Sequence, residues 1–545
     1  MARRLALTAA IAVSLLAVSG ASGAGAQTPK RGGTVVVAII PPEPACLNYL
    51  LGARCGPATA GISVLAAITP VLEAPFDAGS GYSWRPKLVS RVDVRTKPPF
   101  TLTYHIRPEA KWSDGVPVTA GDFIFTLRAL RRFDPEESRA AHRSIRSIRA
   151  LDAKTIRLVL RPRYADWRSF FGPILPSHAL RNRDLENVWI DAIVNPKTGA
   201  PVGSGPFLVE KWEHGRELVL RRNANYWGPH RAHVERLVVR FGVDGNDLLD
   251  GFRRGELDVA YGFTPPFLPA LRRSGLAVHA TRGAGFDYFA IRVAAGGDPA
   301  LRNKLVRRAL AYSFDRAALA RQLYADVDPR LEPMQSAVYL NRSPYYEPNW
   351  GGYSFRPERA RRLLEEAGCV RGADGIYSCG GEKLSIRVSS PTIPGSIRVR
   401  ALELVQPQLR QVGIELVPQF MPSRSLFDQL LTSGQFEMAI HGCTNPSPSP
   451  VFGTAIYGCD APQNYTGYCQ RLVTKDLDQA ERILDAKQRA RVMNRADAQM
   501  AKDVPVIPLY AAPVWAVTRK ELRGFAPSTS PLAVLEKADE WWLDD

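Results

Sequence analysis

The sequence runs to 545 residues, with seven cysteines and a formal net charge of +18. That length is too great for one core by ordinary domain sizes, and no Gly, Ser or Pro run is long enough to be a free linker between independent halves, so intertwined lobes are expected. The basic excess does not indicate a nucleic-acid binder, because the N-terminus reads as an export signal and the arginines are scattered along the chain instead of forming one stripe.

Arg3-Arg4, an apolar run over 5–18 and small residues ending Ala24-Gly25-Ala26 make a cleavable secretory signal peptide over 1–26, with cleavage before Gln27. The apolar run is shorter than the roughly 20 residues a membrane anchor needs. No cysteine precedes Cys46, so there is no lipobox, and the exported protein is expected to be freely soluble in the periplasm or at the cell-envelope exterior. Removing Arg3 and Arg4 leaves 69 basic against 53 acidic residues, a net charge of +16.

GGTVVVAI at 32–39 reads as the first strand. LTYHIRP at 102–108 precedes KWSDGVPVTAGDFIFTLRAL at 111–130, where Asp114-Gly115 makes a turn, Thr119 caps a helix with Asp122 three residues on, and Phe123, Leu127 and Leu130 share a face. The arginine-dense run over 128–149 reads as a solvated helix face, the alternative being contact with an anionic envelope surface. VGSGPFLVEKWEHGRELVLRRNANYWG at 202–228 is a hairpin: Gly203 and Gly205-Pro206 shape its start, Phe207, Val209 and Leu208, Trp212 alternate, and His214-Gly215 closes the turn. VRRALAYSFDR at 306–316 puts Val306, Ala309, Leu310 and Ser313 on one helical face, with Asp315 capping a second helix through Leu319 and Leu323. LSIRVSS at 384–390 is a further strand, and strands alternating with amphipathic helices indicate a mixed α/β fold.

Cysteines in an exported chain point to disulfides, not to metal or redox chemistry. Cys46 with Cys55, Cys369 with Cys379, and Cys459 with Cys469 each bracket eight or nine residues, and Cys443 is left over as a buried small hydrophobe, the alternative being a reactive thiol. No catalytic constellation is present. There is no H-E-x-x-H, Gly203-Ser204-Gly205 is not a nucleophile elbow, no Walker lysine pattern occurs, and His230 and His233 in PHRAH read as surface residues; no metal or cofactor is expected.

The 202–228, 111–130 and 306–316 segments, with weaker echoes at 355–368, 404–417, 434–442 (GQFEMAIHG) and 503–510 (DVPVIPLY), closely resemble those of family 5 extracytoplasmic solute-binding proteins, the oligopeptide, dipeptide and nickel binders that feed ABC importers. The resemblance covers nearly all of the mature chain. It implies an α/β, two-lobed periplasmic-binding-protein fold of type II, of the large cluster with an extra inserted domain and a hinge. Lobe I would be 27–61, 201–282 and 511–545, the inserted domain 62–200, and lobe II 283–510, with crossovers near 284–291 and 510–517. It implies a monomer that captures a peptide or peptide-like solute by lobe closure and hands it to a membrane permease complex; it implies no nucleic acid. Another small solute, such as a metal chelate, sugar or opine-like molecule, is the nearer alternative, and a peptide hydrolase or a sensor subunit the more distant ones. By position in the resemblance, Cys443, Thr444 and Asn445 after one strand, and Glu43, Asn48 and Tyr49 after the first, border the ligand. In peptide-binding relatives an acidic residue follows the GQFEMAIHG-like strand, whereas CTNPSPSPVFGTAIY at 443–457 has none, so a different anchor is needed for any peptide ammonium.

Overall fold

A computed structural model describes residues 28–40, 42–55, 60–77, 84–133, 139–243, 245–262, 267–391, 396–444, 452–529 and 534–544. The signal segment at 1–26 lies outside the described residues.

The valines of Thr34–Ile39 make a strand with almost no exposed apolar surface, which is the pattern of a parallel strand covered on both faces. It pairs in parallel with Arg236–Phe241 on one side and Val259–Tyr261 on the other. Beyond Arg236–Phe241 lie the two strands of the expected hairpin, Glu217–Arg222 and Phe207–Glu213, turned at Gly215 with φ 75°. Its glycines are required for close approach: a Cβ on Gly205 would lie 2.3 Å from the Pro70 carbonyl oxygen. A second parallel set, Glu415–Met421, Ser385–Pro391 and Met438–Thr444, forms the other lobe.

Two long strands unite these sets into one ten-stranded sheet. Ala277–Ile291 and Val506–Thr518 run antiparallel along their whole length, from Ala277 opposite Thr518 to Ala290 opposite Val506. At one end, residues 516–518 pair with Val259–Tyr261 of the first lobe; at the other, residues 285–291 pair with Met438–Thr444 of the second. The pair is therefore the double crossover of a two-lobed fold. Its register slips between Arg282 and Gly285, so the ladder is irregular where the chain changes lobe.

Residues 62–200 carry a separate four-stranded antiparallel sheet, in the order Val89–Arg95, Phe100–Ile106, Thr155–Leu160 and Ile145–Ala150. Helix Ala120–Phe133 packs on it through Phe123 and Leu127. Asp122 carries one half of the expected capping box, its Oδ2 accepting from the Thr119 backbone N–H at 2.7 Å, while the Thr119 hydroxyl donates to the same oxygen at 3.3 Å. The arginine-dense run is not one helix face: helix Ala120–Phe133 is followed by helix Arg139–Ser144 and strand Ile145–Ala150. Ile145 is buried and Ile148 half-buried, three residues apart with a register slip between Ile145 and Ser147, so this strand lacks the two-residue period by which a sequence reveals one.

Helices Lys304–Tyr312 and Arg316–Tyr324 form the expected pair, and Asp315 caps the second by accepting from the Ala318 N–H at 2.8 Å. Three disulfides close the expected loops, with Cα separations of 5.0, 4.3 and 4.4 Å for Cys46–Cys55, Cys369–Cys379 and Cys459–Cys469. Cys443 is half-buried and outside any disulfide. Trp541, fully buried beside Phe525, packs the C-terminal segment into the core of the first lobe and inserted sheet.

Candidate functional site

In open α/β sheets ligands bind beyond the carboxyl ends of the strands. Here the parallel strands of both lobes end toward the crossover: Tyr261 pairs with Ala516, and Thr444 with Gly285. At that point lies a cavity of about 850 Å³, a size that suits a small solute or short peptide. Its walls are the crossover strands themselves (280–283, Ala511 and Pro513) and the second lobe's loops at 327–332 and 340–342.

The crossover is tight on its protein side. A Cβ on Gly283 would sit 2.1 Å from the Ala512 carbonyl oxygen, so only glycine lets the two backbones pass. Arg342 Nη1 donates to the Arg282 carbonyl at 2.8 Å, tying the second lobe's loop to the point where the chain leaves the first. Pro333 bridges Tyr510 and the Met334 N–H donates to the Leu509 carbonyl at 3.0 Å, which fixes the 327–334 loop against the same strand.

Next to the crossover, the nearly buried Asp287 accepts two bonds from Arg398, at 2.8 Å from Nη2 and 3.1 Å from Nε. Burial opposes the Arg398 charge, but the Asp287 carboxylate overrides it and raises the guanidinium pKa. A Cβ on Gly442 would collide with this pair, 2.4 Å from Asp287 Oδ1. His441, one residue earlier, is buried with Tyr288 at 4.6 Å, Phe427 at 5.6 Å and Tyr465 at 6.0 Å between ring centroids. Burial, helped by the Arg398 charge, lowers its pKa to about 4, so the imidazole is neutral at pH 7.

The residues that sequence reasoning singled out fall in three places. Glu43 holds the hairpin turn: Oε1 accepts from Trp212 Nε1 at 2.5 Å and Oε2 from the Gly215 N–H at 2.7 Å. Asn48 is fully buried, donating to the Leu185 and Val188 carbonyls at 2.7 and 3.2 Å and accepting from the Leu50 N–H at 3.1 Å. Tyr49 donates to the Pro173 carbonyl at 2.6 Å, and burial raises its phenol pKa. Asn48 and Tyr49 thus tie the segment after the first strand to the inserted domain, and none of the three lines the crossover cavity. Cys443 and Thr444 end the strand beside the crossover, opposite Phe286 and Gly285, while Asn445 lies outside the described residues. The Ser204 hydroxyl accepts from the Glu73 N–H at 2.9 Å and is a structural link.

Sequence reasoning passed over the charged groups that do line the cavity: Arg282, Asp328, Arg330, Glu332 and Arg342. The signal for them was faint, a VDPRLEP run whose two prolines stiffen a loop.

Two lobes joined by a double crossover over a cavity define a hinged solute-binding protein. The sequence matches the family described as bacterial extracellular solute-binding proteins, family 5 Middle, over residues 84–465, and the chain belongs to that family. It is similar to the oligopeptide-binding protein OppA of Mycobacterium tuberculosis strain ATCC 25618 / H37Rv, with 24% identity over 448 residues, 80% of this chain and 73% of that one. Among solved structures it resembles the periplasmic EDTA-binding protein EppA, with a TM-score of 0.84, 21% identity, and 95% and 98% of the two chains covered. The oligopeptide-binding protein AppA of Bacillus subtilis in complex with a nonapeptide has a TM-score of 0.76 and 21% identity, with 95% and 100% covered. No helix among the described residues is long and apolar enough to cross a membrane.

Proposed function

We propose that this protein is the extracytoplasmic solute-binding component of an ABC importer, taking up peptides or peptide-like solutes. The double crossover with its cavity carries this reading: a solute held there by groups from both sides favours the closed arrangement by its differential affinity, and closure reports occupancy to a permease. The protein acts as an exported monomer, with lobe I at 27–61, 201–282 and 511–545, the inserted domain at 62–200 and lobe II at 283–510. It performs no chemistry on its solute. Glu43, Asn48 and Tyr49 act indirectly, by bracing the segment after the first strand, and Cys443 and Thr444 border the solute from the end of their strand.

Relatives that bind oligopeptides support the solute class. A non-peptide polyanion, such as a metal chelate, is the second reading, favoured by the three arginines of the cavity and the likeness to an EDTA-binding protein. A thermal-shift screen of peptide libraries, amino acids, sugars and metal chelates separates the two, since a ligand of the folded state stabilises by RT ln(1 + [L]/Kd). Stabilisation by peptides supports the first reading, and stabilisation by chelates alone replaces it with the second.

A further inference from the structure

We propose that the outer face of the inserted domain's four-stranded sheet docks on an anionic phospholipid membrane surface. None of the residues of this face lines the crossover cavity, so the inference goes beyond solute binding and stands whichever solute that cavity takes.

Residues 139–168 carry nine basic side chains against two acidic ones, a larger excess than any other stretch of thirty residues in this basic chain. The sheet sorts these charges by side. Ile156, Leu158 and Leu160 are buried on the inner side, under helix Ala120–Phe133, which places Arg157 on the outer one. The register sets the exposed Arg149 directly opposite Arg157, and Arg157 opposite Thr103, which in turn faces Asp93. The next row runs from the exposed Arg95 through Thr101 and Val159 to Ser147, and Arg91 stands beside His105 at the far edge.

Counter-charge on this face is spent. Asp93 is bonded to His105 Nε2 at 2.7 Å and to Arg91 Nε at 3.4 Å. Among the described residues no second acid stands in the rows of Arg95, Arg149 and Arg157. Like charges directly opposite each other destabilise a sheet, so the facing Arg149 and Arg157 are a cost in the free protein. A phosphate between the two guanidinium groups removes that cost and gains charge-assisted bonds.

The layout selects the partner. The arginines spread over a plane three strand spacings wide, about 15 Å, and neither follow a line nor line a groove. A nucleic-acid strand calls for a track of charge along its backbone, and a small anion for an enclosed pocket. A flat array of phosphate headgroups fits a flat face. Leu151 adds an apolar tip: its N–H donates to the Thr155 carbonyl at 2.8 Å, which continues the ladder past Ala150, and its side chain is 42% exposed. Two residues on from Arg149, it falls on the same side of the strand and can enter the headgroup region. Each basic side chain near an anionic leaflet strengthens partitioning by about fivefold, and the attraction fades within a Debye length, so the docking is reversible and salt-sensitive. It would hold the protein at the membrane in which its permease lies.

The test is co-sedimentation of the purified protein with vesicles of pure phosphatidylcholine or of equal parts phosphatidylcholine and phosphatidylglycerol, at low and high salt. The wild type is compared with R95Q/R149Q/R157Q and with R272Q/R273Q/R321Q, which removes the same charge from exposed positions outside the inserted domain. R95K/R149K/R157K keeps the charge at the face, and circular dichroism and unliganded melting first show each variant to be folded. The wild type is expected to bind the anionic vesicles alone and to be released by salt. R95Q/R149Q/R157Q should partition about a hundredfold more weakly, from three contributions of about fivefold each, while the lysine variant and R272Q/R273Q/R321Q stay close to wild type. Equal losses in the two glutamine variants overturn the proposal, because net charge and not this face then governs binding. So do equal binding to both vesicle types, absence of binding at low salt, and retention on DNA or an anionic polysaccharide without binding to vesicles. Solute-induced stabilisation should be the same in all four proteins, so a failure of docking leaves the transport reading standing.

Discussion

Replacing Gly283 by alanine tests whether the crossover is as tight as its geometry indicates. The added methyl would start 2.1 Å from the Ala512 carbonyl oxygen and 3.2 Å from Val514 Cγ2. Ordinary carbon–oxygen contact begins roughly 1 Å further out, so the strands must part. They cannot part freely, because the pairs Arg282 with Pro513 and Gly285 with Ala512 flank the site and Arg342 holds the Arg282 carbonyl. Overpacking of this kind costs about 1–3 kcal/mol. Gly172 provides the control, since its built Cβ meets nothing within 4 Å; there alanine should be neutral or stabilise by about 0.4–1 kcal/mol through the unfolded chain. Urea denaturation followed by tryptophan fluorescence gives both values. The clash predicts a lower midpoint for G283A at unchanged slope, together with weaker solute binding because the displaced strands also form the cavity wall. Equal midpoints for G283A and G172A would refute the reasoning.

Asn48→Ala should destabilise by about 2–4 kcal/mol, because it strands the Leu185 and Val188 carbonyls and the Leu50 N–H in a buried joint; a chemical-denaturation midpoint within error of wild type would contradict that role. His441 sets a pH dependence whose sign follows from its depressed pKa: the unfolded chain takes up a proton below about 6.5, whereas the folded protein does so only near 4. Its contribution is therefore complete above that upper value and declines by about 3 kcal/mol as pH falls toward the lower one. H441Q should flatten this part of the stability–pH curve, and an unchanged slope would show that other groups dominate. Removing the Cys369–Cys379 bridge with paired serines should cost roughly 3 kcal/mol by freeing a short loop in the unfolded chain, measured by denaturation under non-reducing conditions.

The local elements were legible because their causes are local. The hairpin at 207–222 follows from alternation and a glycine turn, the helix at 316–324 from Asp315, and the disulfides from cysteines nine or ten positions apart. The run of matching segments also carried the family and its two-lobed fold, since core faces and turns leave marks in one-dimensional order. What the one-dimensional order could not decide was where a polar side chain spends its hydrogen bonds. Glu43, Asn48 and Tyr49 stand at positions that border a ligand by resemblance, yet their partners lie 124 to 172 residues away, in the hairpin turn and the inserted domain. The cavity charges were hidden for the same reason. Asp328, Arg330, Glu332 and the distant Arg282 come to one cavity only because the 327–332 loop and the crossover strand meet there. Segment type depends on neighbours within a few residues, whereas a binding site depends on which distant backbones the fold brings together, and only the tertiary structure decides that.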